Sequence, residues 1–290
     1  MAWELTGDLD RYLGAAGEFL RSRPAEHTVL LTVCETLRAG GLAAFGAPAP
    51  LFGWWQEPGG GVSAAFLHTP PYPVALTAAA DGQAAALAGT LASRRRELAG
   101  VNSDVSTAPP FAVAWRRETD QEAHVHRRMR EFRLAGLRPP PPVPGGPRTA
   151  TTGDLPLLVQ WATAFARDVS DLGPDPERQM TDRLSHDGLT FWEEEGRPVS
   201  LAGLTRQVAG QVRVGPVYTP PEFRRRGFAA AVTAAVSRAA LAAGAQEVLL
   251  FTDLANPTSN ALYQRLGYRP VSDYLSLAFG TRPKRMPRSG

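Results

Sequence analysis

The stretch that decides the fold is Val214–Gly244, which reads VGPVYTPPEFRRRGFAAAVTAAVSRAALAAG. A β-rich run ends at Thr219, and the two prolines that follow prevent both further strand pairing and an immediate helix. Arg224–Ala229 then forms a basic, glycine-containing turn that opens an alanine-rich helix, and Gly244 ends that helix. A strand, turn and helix in this order predict a phosphate site, because backbone N–H groups and the positive helix end would face the anion.

Length and composition set the class of protein. The chain has 290 residues, more than one hydrophobic core usually organises, so we expect two domains. Hydrophobic residues make up 43% and charged residues 20%, which is typical of a soluble globular protein. The net charge of +3 comes mostly from arginines spread along the chain, which argues against a nucleic-acid partner.

Other classes are also disfavoured by the sequence. The single cysteine, Cys34, excludes an intramolecular disulfide and a cysteine-based zinc site, and we expect it to be buried. The N-terminus lacks a basic-then-apolar signal pattern, and the most apolar stretch, Phe228–Leu250, is interrupted by Arg238 and Glu247. We therefore expect a cytoplasmic protein without a membrane partner.

Hydrophobic periodicity and turn residues predict the elements of secondary structure. The predicted helices are Leu5–Ser22, Glu26–Ala39, Asp81–Leu98 with Asp81 as N-cap, Phe111–Glu118, Leu155–Val169, Pro174–Leu184, Phe228–Gly244 and Thr258–Leu266. The predicted strands are Leu51–Gln56, Val62–His68, Pro73–Ala78, Gly100–Asp104, Ala123–Leu134, Arg148–Ala150, Leu189–Glu194, Val199–Thr205, Gln211–Thr219, Glu247–Asp253 and strands within Tyr268–Phe279. Residues 211–219 and 247–253 should pair in parallel, because a helix crosses between them.

The chain reads as two similar halves joined by a proline-rich connector. Arg138–Gly146 reads RPPPPVPGG, a stiff, extended segment that we expect not to join a packed element. We therefore predict a domain over residues 1–137, a linker over 138–147, a second domain over 148–280 and a basic tail over 281–290. The predicted fold class is α/β (α+β): each domain has a mixed, mostly antiparallel sheet flanked by helices, and the second has a parallel pair that splays.

An internal repeat supports the two-domain prediction. Trp55–Leu67 aligns without gaps on Trp192–Leu204, although any two hairpins with glycine-containing turns could look alike. Where the second half has its arginine-glycine turn, the first has Leu76–Gly82, which offers an aspartate and no arginine. We expect the first half to have lost a phosphate site.

Two motifs together carry a family resemblance. Arg224-x-x-Gly227-x-Ala229, after a strand and opening a helix, resembles the Q/R-x-x-G-x-G/A signature of the GNAT superfamily of acetyl-CoA-dependent N-acetyltransferases. Asn256–Tyr268, NPTSNALYQRLGY, resembles that family's second motif. The resemblance covers Arg148–Phe279 and reaches the first half only through the repeat, so the chain resembles a tandem GNAT protein with one active domain.

The residues of the turn suit coenzyme A. Gly227 permits close approach of the backbone to a pyrophosphate, to which the N–H groups of Arg226–Ala229 can point. Arg224 and Arg225 can add charge-assisted bonds, and Arg226 faces either solvent or a 3′-phosphate. The alternative for the arginine run is a solvated surface loop. The predicted cofactor-binding set is Val217, Tyr218, Thr219, Arg224, Arg225, Arg226, Gly227, Phe228, Ala229 and Asn256.

The resemblance also assigns roles beside the turn. It implies backbone bonds from Val217 and Thr219 to the pantetheine arm, a further bond from Asn256, and Tyr263 as the general acid. A backbone N–H of Val217 or Tyr218 could polarise the thioester carbonyl. The alternatives are a helix cap for Asn256 and a packed core tyrosine for Tyr263.

The sequence says less about the residues that would bind and deprotonate the amine acceptor. Gln211–Val217 carries no carboxylate where the family often keeps one, and Arg213 stands there instead. Glu193, Glu194 and Asp253 could act as bases through water, or the amine could arrive unprotonated. His124 and His126 share a strand face but have no evident third ligand, so no metal is predicted.

The sequence thus predicts transfer of an acetyl group from acetyl-CoA, as co-substrate, to a primary amine of a small molecule or peptide. We expect a monomer or homodimer. A non-catalytic acyl-CoA-binding or regulatory protein is the alternative, favoured by the missing carboxylate and disfavoured by Tyr263.

Overall fold

The computed structural model describes residues 2–169 and 175–280, which form two compact units. Unit 1 contains residues 2–19, 46–128 and 273–280, and unit 2 contains residues 20–45, 129–169 and 175–272. The predicted tail 281–290 and Pro174, the first residue of the predicted helix Pro174–Leu184, lie outside the described residues. No helix within the described ranges is long and apolar enough to span a membrane.

Helices and strands alternate along the chain and confirm the mixed α/β class. The helices are α1 (Leu9–Ser22), α2 (Thr28–Gly40), α3 (Asp81–Ser93), α4 (Ala108–Thr119), α5 (Leu155–Asp168), α6 (Pro176–Leu184), α7 (Phe228–Ala242) and α8 (Pro257–Arg265). The strands are β1 (Ala2–Thr6), β2 (Leu51–Gln56), β3 (Val62–His68), β4 (Val74–Leu76), β5 (Gly100–Asp104), β6 (Ala123–Leu134), β7 (Gly146–Thr149), β8 (Leu189–Glu194), β9 (Arg197–Leu204), β10 (Gln211–Tyr218), β11 (Glu247–Asp253) and β12 (Tyr268–Phe279).

Unit 1 is built on a sheet in the order β1-β2-β3-β4-β5-β12. Its neighbours pair antiparallel except β4 and β5, which run parallel. The sheet packs against α3 and α4 through a core that includes Trp3, Phe66, Leu87, Phe111 and Trp115. Burial of these large apolar side chains is the main stabilising contribution to this unit.

Unit 2 is built on a sheet in the order β6-β11-β10-β9-β8-β7, in which β10 and β11 form the predicted parallel pair. One face of this sheet packs against α7 and α8, with Val214, Val232 and Leu250 in the core. The other face packs against α5 and α6 through Leu158, Met180, Phe191 and other apolar side chains. The successive residues of β10 and β11 therefore alternate between an α7/α8 face and an α5/α6 face.

The composition of the units differs from the predicted domains in three segments. Residues 20–45 and 129–137 belong to unit 2, and residues 273–280 belong to unit 1. Residues 129–133 of β6 pair with β11, and residues 274–278 of β12 pair with β5. Each unit thus takes a strand segment from the C-terminal end of the other half. Local sequence patterns cannot reveal this exchange because strand pairing is non-local.

The first predicted helix was wrong at its start. Residues 2–6 form β1, which pairs antiparallel with β2, and the helix begins at Leu9. Asp8 fixes this start, because its Oδ1 accepts hydrogen bonds from the N–H groups of Asp10 (2.8 Å) and Arg11 (3.0 Å). The N-cap predicted at Asp81 was also wrong, since Ala80 takes that place and α3 ends at Ser93.

The proline-rich segment packs in unit 2, contrary to prediction. Its end enters β7, where Pro147 pairs opposite Trp192, and the Trp192 indole donates to Pro144 O at 2.8 Å. β7 is the edge strand of this sheet, a position where the N–H that proline lacks is not needed for pairing. Prolines 139–142 and Val143 line a cavity of about 240 Å³ against α7.

The hairpins of the proposed repeat share a local irregularity. The register between β2 and β3 shifts between Trp55 and Gln56, and that between β8 and β9 shifts between Trp192 and Glu193. These positions coincide in the gapless alignment of the two hairpins. Cys34 is buried in α2 as predicted, and its burial raises the pKa of the thiol to about 12.

Candidate active site

A gap between two strands forms the centre of the candidate site. β10 and β11 pair in parallel only over Gln211–Val214 and Glu247–Leu250, although β10 continues to Tyr218 and β11 to Asp253. The pairing of β10 with β9 shifts register between Val214 and Val217, so a bulge turns β10 away where the gap begins. This is the predicted parallel strand splay.

The turn after β10 presents free backbone donors. Gly227 is the N-cap of α7 with φ of 91°, and Arg225 also has a positive φ of 64°. In the described part of the chain, the N–H groups of residues 225–230 make no hydrogen bond to a backbone carbonyl. The Ala231 N–H begins the helical ladder by donating to Gly227 O at 3.1 Å. Six consecutive donors at the positive end of a 15-residue helix suit an anion such as a pyrophosphate.

Gly227 is required in this turn for two reasons. Its φ of 91° lies in the left-handed region, which L side chains rarely adopt. A Cβ atom on Gly227 would also stand 2.9 Å from Cγ1 of Val143, in the proline-rich segment. The glycine therefore allows both the conformation of the turn and the close passage of that segment.

Two of the three arginines of the turn are held by carboxylates. Arg224 Nη2 donates to Asp168 Oδ2 at 2.6 Å, and Arg224 Nε donates to Thr219 O at 2.9 Å. Arg226 Nη2 donates to both carboxylate oxygens of Glu194. Arg225 is exposed and forms no ion pair within the described residues. The run is thus partly ordered before any ligand binds.

The corresponding region of unit 1 has side-chain hydrogen bonds between β5 and the end of β4 and in the turn before α3. Ser103 Oγ of β5 donates to Leu76 O at 2.9 Å and so bridges β5 to the end of β4. The N–H of Ala79 donates to Thr107 Oγ1, and that of Ala80 donates to Gln83 Oε1, both at 3.0 Å. Side chains of the same unit therefore accept from the N–H groups of Ala79 and Ala80, directly before α3.

Tyr263 lies on α8 in the buried cluster that covers the α7/α8 face of β10 and β11. Its ring packs edge-on against Tyr268, with centroids 6.1 Å apart. Burial raises the pKa of the Tyr263 phenol to about 12. The phenol is therefore protonated throughout the physiological pH range, as a proton donor must be.

The remaining predicted cofactor residues have contacts within the protein. Val217 borders the same cluster as Tyr263, whereas Tyr218 faces α5 and packs 5.7 Å from Trp161. Phe228 is buried beneath Arg226, whose guanidinium lies 4.7 Å from the ring centroid. Asn256 caps α8, because its Oδ1 accepts from the Ser259 N–H at 3.0 Å.

The candidate bases are engaged in other contacts. Glu193 Oε1 accepts from Arg148 Nε at 2.6 Å, and Glu194 pairs with Arg226. Asp253 Oδ1 accepts from the Ala255 N–H at 2.8 Å at the end of β11. None of the three therefore has the geometry of an unencumbered base.

The structure gives contacts for two residues to which the sequence assigned no role, Asn260 and His124. Asn260 Nδ2 donates to Asp253 O at 2.9 Å and to Asn256 O at 2.7 Å, which ties α8 to the end of β11 beside the gap. His124 Nε2 lies 3.0 Å from Gly280 O. No group of three His, Cys, Asp or Glu side chains in residues 2–169 and 175–280 could hold a metal ion.

Comparisons with known proteins agree with this geometry. Residues 155–268 match the family model described as Acetyltransferase (GNAT) family. No curated protein sequence matches the chain. A GCN5-related N-acetyltransferase from Sphaerobacter thermophilus is 17% identical, with a TM-score of 0.59 over 97% of this chain and 98% of that one.

Two further solved structures extend the similarity. A tandem GNAT protein from the clavulanic acid biosynthesis pathway is 14% identical, with a TM-score of 0.57 over 97% of this chain and 100% of that one. A GNAT-family acetyltransferase from Colwellia psychrerythraea is 10% identical, with a TM-score of 0.58 over the same shares. At these identities the structures establish the fold, and they do so over nearly the whole chain.

The match of residues 155–268 to the GNAT acetyltransferase family model supports an acyltransferase. It confirms the resemblance carried by Arg224–Ala229 and Asn256–Tyr268 for this part of the chain.

Proposed function

We propose that unit 2 transfers an acetyl group from acetyl-CoA to a primary amine by direct attack. The observation that carries the proposal is the strand gap beyond Val214 and Leu250, next to the N–H groups of residues 225–230, which have no backbone acceptor among the described residues. Beyond Val214 and Leu250 the two strands do not pair with each other, which leaves backbone groups for an extended pantetheine arm, and the N–H groups of the turn suit a pyrophosphate. The chemistry of the donors thus fits coenzyme A.

In this proposal the turn binds the pyrophosphate of coenzyme A, and β10 polarises the thioester carbonyl. The N–H groups of residues 226–229 and the guanidinium groups of Arg224 and Arg225 hold the pyrophosphate. A backbone N–H of Val217 or Tyr218 donates to the thioester carbonyl oxygen and stabilises the charge that develops there.

The transfer step is balanced within this site. The acceptor nitrogen forms a bond to the acetyl carbon, and the carbon–sulfur bond breaks. Tyr263 gives its phenolic proton to the leaving thiolate, and the acceptor nitrogen loses a proton to water. The tyrosinate recovers its proton from solvent before the next cycle, which its raised pKa favours.

The proposal needs no carboxylate base. Glu193 and Glu194 are bound by Arg148 and Arg226, so an amine that arrives unprotonated is the simpler route. A non-catalytic acyl-CoA-binding protein is the second candidate, and the engagement of these carboxylates favours it. Both candidates require acetyl-CoA binding, and only the first requires turnover.

Thiol release from acetyl-CoA, measured with a panel of amines, separates the two candidates. We expect release with at least one amine and a strong loss of rate in Tyr263→Phe. Binding of acetyl-CoA without thiol release from any amine would support the non-catalytic candidate. No rise of the melting temperature with acetyl-CoA would contradict both.

A further inference from the structure

A cavity of about 250 Å³ lies within unit 2, beside the turn that leads into α7. Leu157 and Trp161 of α5 form one part of its apolar wall, and Pro220 and Phe223 form another. The Trp161 ring is fixed, because it packs edge-on against Phe191 with centroids 5.4 Å apart. Sites for drug-sized ligands usually measure about 300–1,000 Å³, so this cavity suits a smaller molecule.

Two opposite charges line the same cavity. Arg197, at the start of β9, and Glu222, in the turn Pro221–Phe223, are both exposed. Neither side chain forms an ion pair or a hydrogen bond within residues 2–169 and 175–280. The exposed side-chain amide of Gln160 also lines the cavity and makes no hydrogen bond in that part of the chain. The cavity thus offers one cation, one anion and one amide that the described side chains do not use.

The side chain of Arg197 is held over the apolar wall. Its guanidinium lies 4.8 Å from the centroid of the Phe223 ring, within the range of a cation–π contact. A contact through the face of the guanidinium leaves the N–H groups at its edge for a carboxylate, which can accept two of them side by side. An arginine that is already ordered also loses less side-chain entropy when a ligand binds.

The chemistry of this lining matches a small ligand that carries both charges. Arg197 suits a carboxylate, Glu222 suits an ammonium group, and the wall formed by Leu157 and Trp161 suits an apolar side chain. A ligand with only negative charge would be repelled by Glu222, and a ligand with only positive charge would be repelled by Arg197. The lining therefore favours a zwitterion.

We propose that this cavity binds a free amino acid with an apolar side chain, and that the bound amino acid strengthens coenzyme A binding. Binding of the amino acid goes beyond the proposed function, whereas the coupling rests on it. None of the described residues that line the cavity belongs to the strand gap, so the amino acid is an effector and distinct from the acetyl acceptor.

The turn connects the two ligands. Glu222 and Phe223 directly precede Arg224, and Phe223 packs in one buried cluster with Phe228, the first residue of α7. An amino acid that contacts Glu222 and Phe223 therefore orders the turn that would bind the pyrophosphate. Its ammonium group also offsets the negative charge of Glu222, which opposes a phosphate. Binding at each site thus favours binding at the other.

Calorimetry without coenzyme A tests the amino acid site. Leucine is compared with isoamylamine, which lacks the carboxylate, and with isocaproate, which lacks the amino group. Phenylalanine is compared in the same way with phenylethylamine and hydrocinnamate. We expect at least one of the two amino acids to bind about fivefold more tightly than either of its analogues, the effect of a partly exposed charge pair.

Variants assign the two charges separately. Arg197→Gln should remove the preference over the amine analogue and keep the preference over the carboxylate analogue. Glu222→Gln should do the reverse, a pattern that a purely structural role of these residues would not produce. Arg238→Gln, which changes an exposed arginine of α7 outside this cavity, should keep both preferences.

The outcomes separate this inference from the proposed function. Failure of both amino acids to bind, or equal affinities for an amino acid and its analogues, would overturn the site. A saturating amino acid should lower the dissociation constant of coenzyme A by about fivefold, and an unchanged constant would overturn the coupling. Absence of coenzyme A binding to wild type would contradict the proposed function, while the titrations without coenzyme A would still decide the amino acid site.

Discussion

Arg226 Nη2 lies 2.7 Å and 2.8 Å from the two carboxylate oxygens of Glu194, directly after the strand gap and before α7. The same guanidinium covers the buried ring of Phe228. The carboxylate of Glu194 thus forms an ion pair with an arginine that borders the proposed pyrophosphate site. The ion pair orders the side chain, but its negative charge opposes a phosphate.

Glu194→Gln should therefore strengthen coenzyme A binding. We expect the dissociation constant from calorimetry to fall by about two- to fivefold, since partly exposed ion pairs contribute about 0.2–1 kcal/mol. Glu222→Gln is the matched control, because it removes an exposed acid from the same turn and breaks no ion pair among the described residues. An equal gain in both variants would indicate a general charge effect without a role for the Arg226–Glu194 pair.

Gly227→Ala should weaken coenzyme A binding by at least about tenfold, because a left-handed conformation is strained for alanine by about 1–2 kcal/mol. The new Cβ would also press on Val143. Gly244→Ala is the control: Gly244 has a similar φ of 90° at the other end of α7, with open space around it. Both variants should lower the melting temperature, and only Gly227→Ala should change the affinity. Unchanged affinity in Gly227→Ala would contradict the proposed pyrophosphate site.

Tyr263→Phe should lower kcat by about 100-fold with little change in acetyl-CoA affinity, the usual cost of losing a general acid. Because the pKa of Tyr263 is raised to about 12, the wild-type kcat should not decline between pH 7 and pH 10. Tyr268→Phe is the control, since its hydroxyl pairs with Ser237 Oγ at 2.7 Å and should affect stability by about 1 kcal/mol. An equal loss of kcat in both variants would assign Tyr263 to packing alone.

Local patterns in the sequence predicted most elements and the parallel pair around α7. Turn residues and hydrophobic periodicity act over short distances, so β6 was predicted with its observed bounds, Ala123–Leu134. β1 was missed because five residues near a terminus carry little periodicity and their pairing with β2 is non-local. The exchange of strands between the halves was missed for the same reason.

The same distinction between local and non-local contacts decided which parts of the site the sequence could predict. The glycine turn and Tyr263 stand in contiguous motifs, and the sequence indicated both. The pairing of Arg226 with Glu194 and the contact of Thr28 with Gln211 join residues 32 and 183 positions apart. Only the folded chain brings such residues together, so contacts of this kind could not be inferred from spacing.

The Arg148–Asp154 pair gives a pH-dependent prediction for stability. Hydrogen bonds from Arg148, with bonds from Thr151, hold the pKa of Asp154 well below its usual range. A depressed pKa means that the stabilisation is present above about pH 4 and is lost as the pH falls through the folded-state pKa. Asp154→Asn should lower stability at pH 7 by about 1 kcal/mol, after allowance for solvent screening of Arg148.

Thermal unfolding at pH 7 and pH 3 checks the direction of this pH dependence. The difference in melting temperature between wild type and Asp154→Asn should shrink toward pH 3. Glu35→Gln, which breaks the exposed pair with Arg38, should have little effect at either pH. A difference that grows at low pH would show that Asp154 is not stabilised as a carboxylate.

The central claim is that the strand gap and the turn after it bind acetyl-CoA for transfer to an amine. The most direct measurement is mass-spectrometric detection of acetylated product, alongside thiol release, for wild type with acetyl-CoA and an equimolar panel of primary amines. The account predicts acetylated amine and free thiol in equal amounts. Acetyl-CoA left intact with every amine would contradict it.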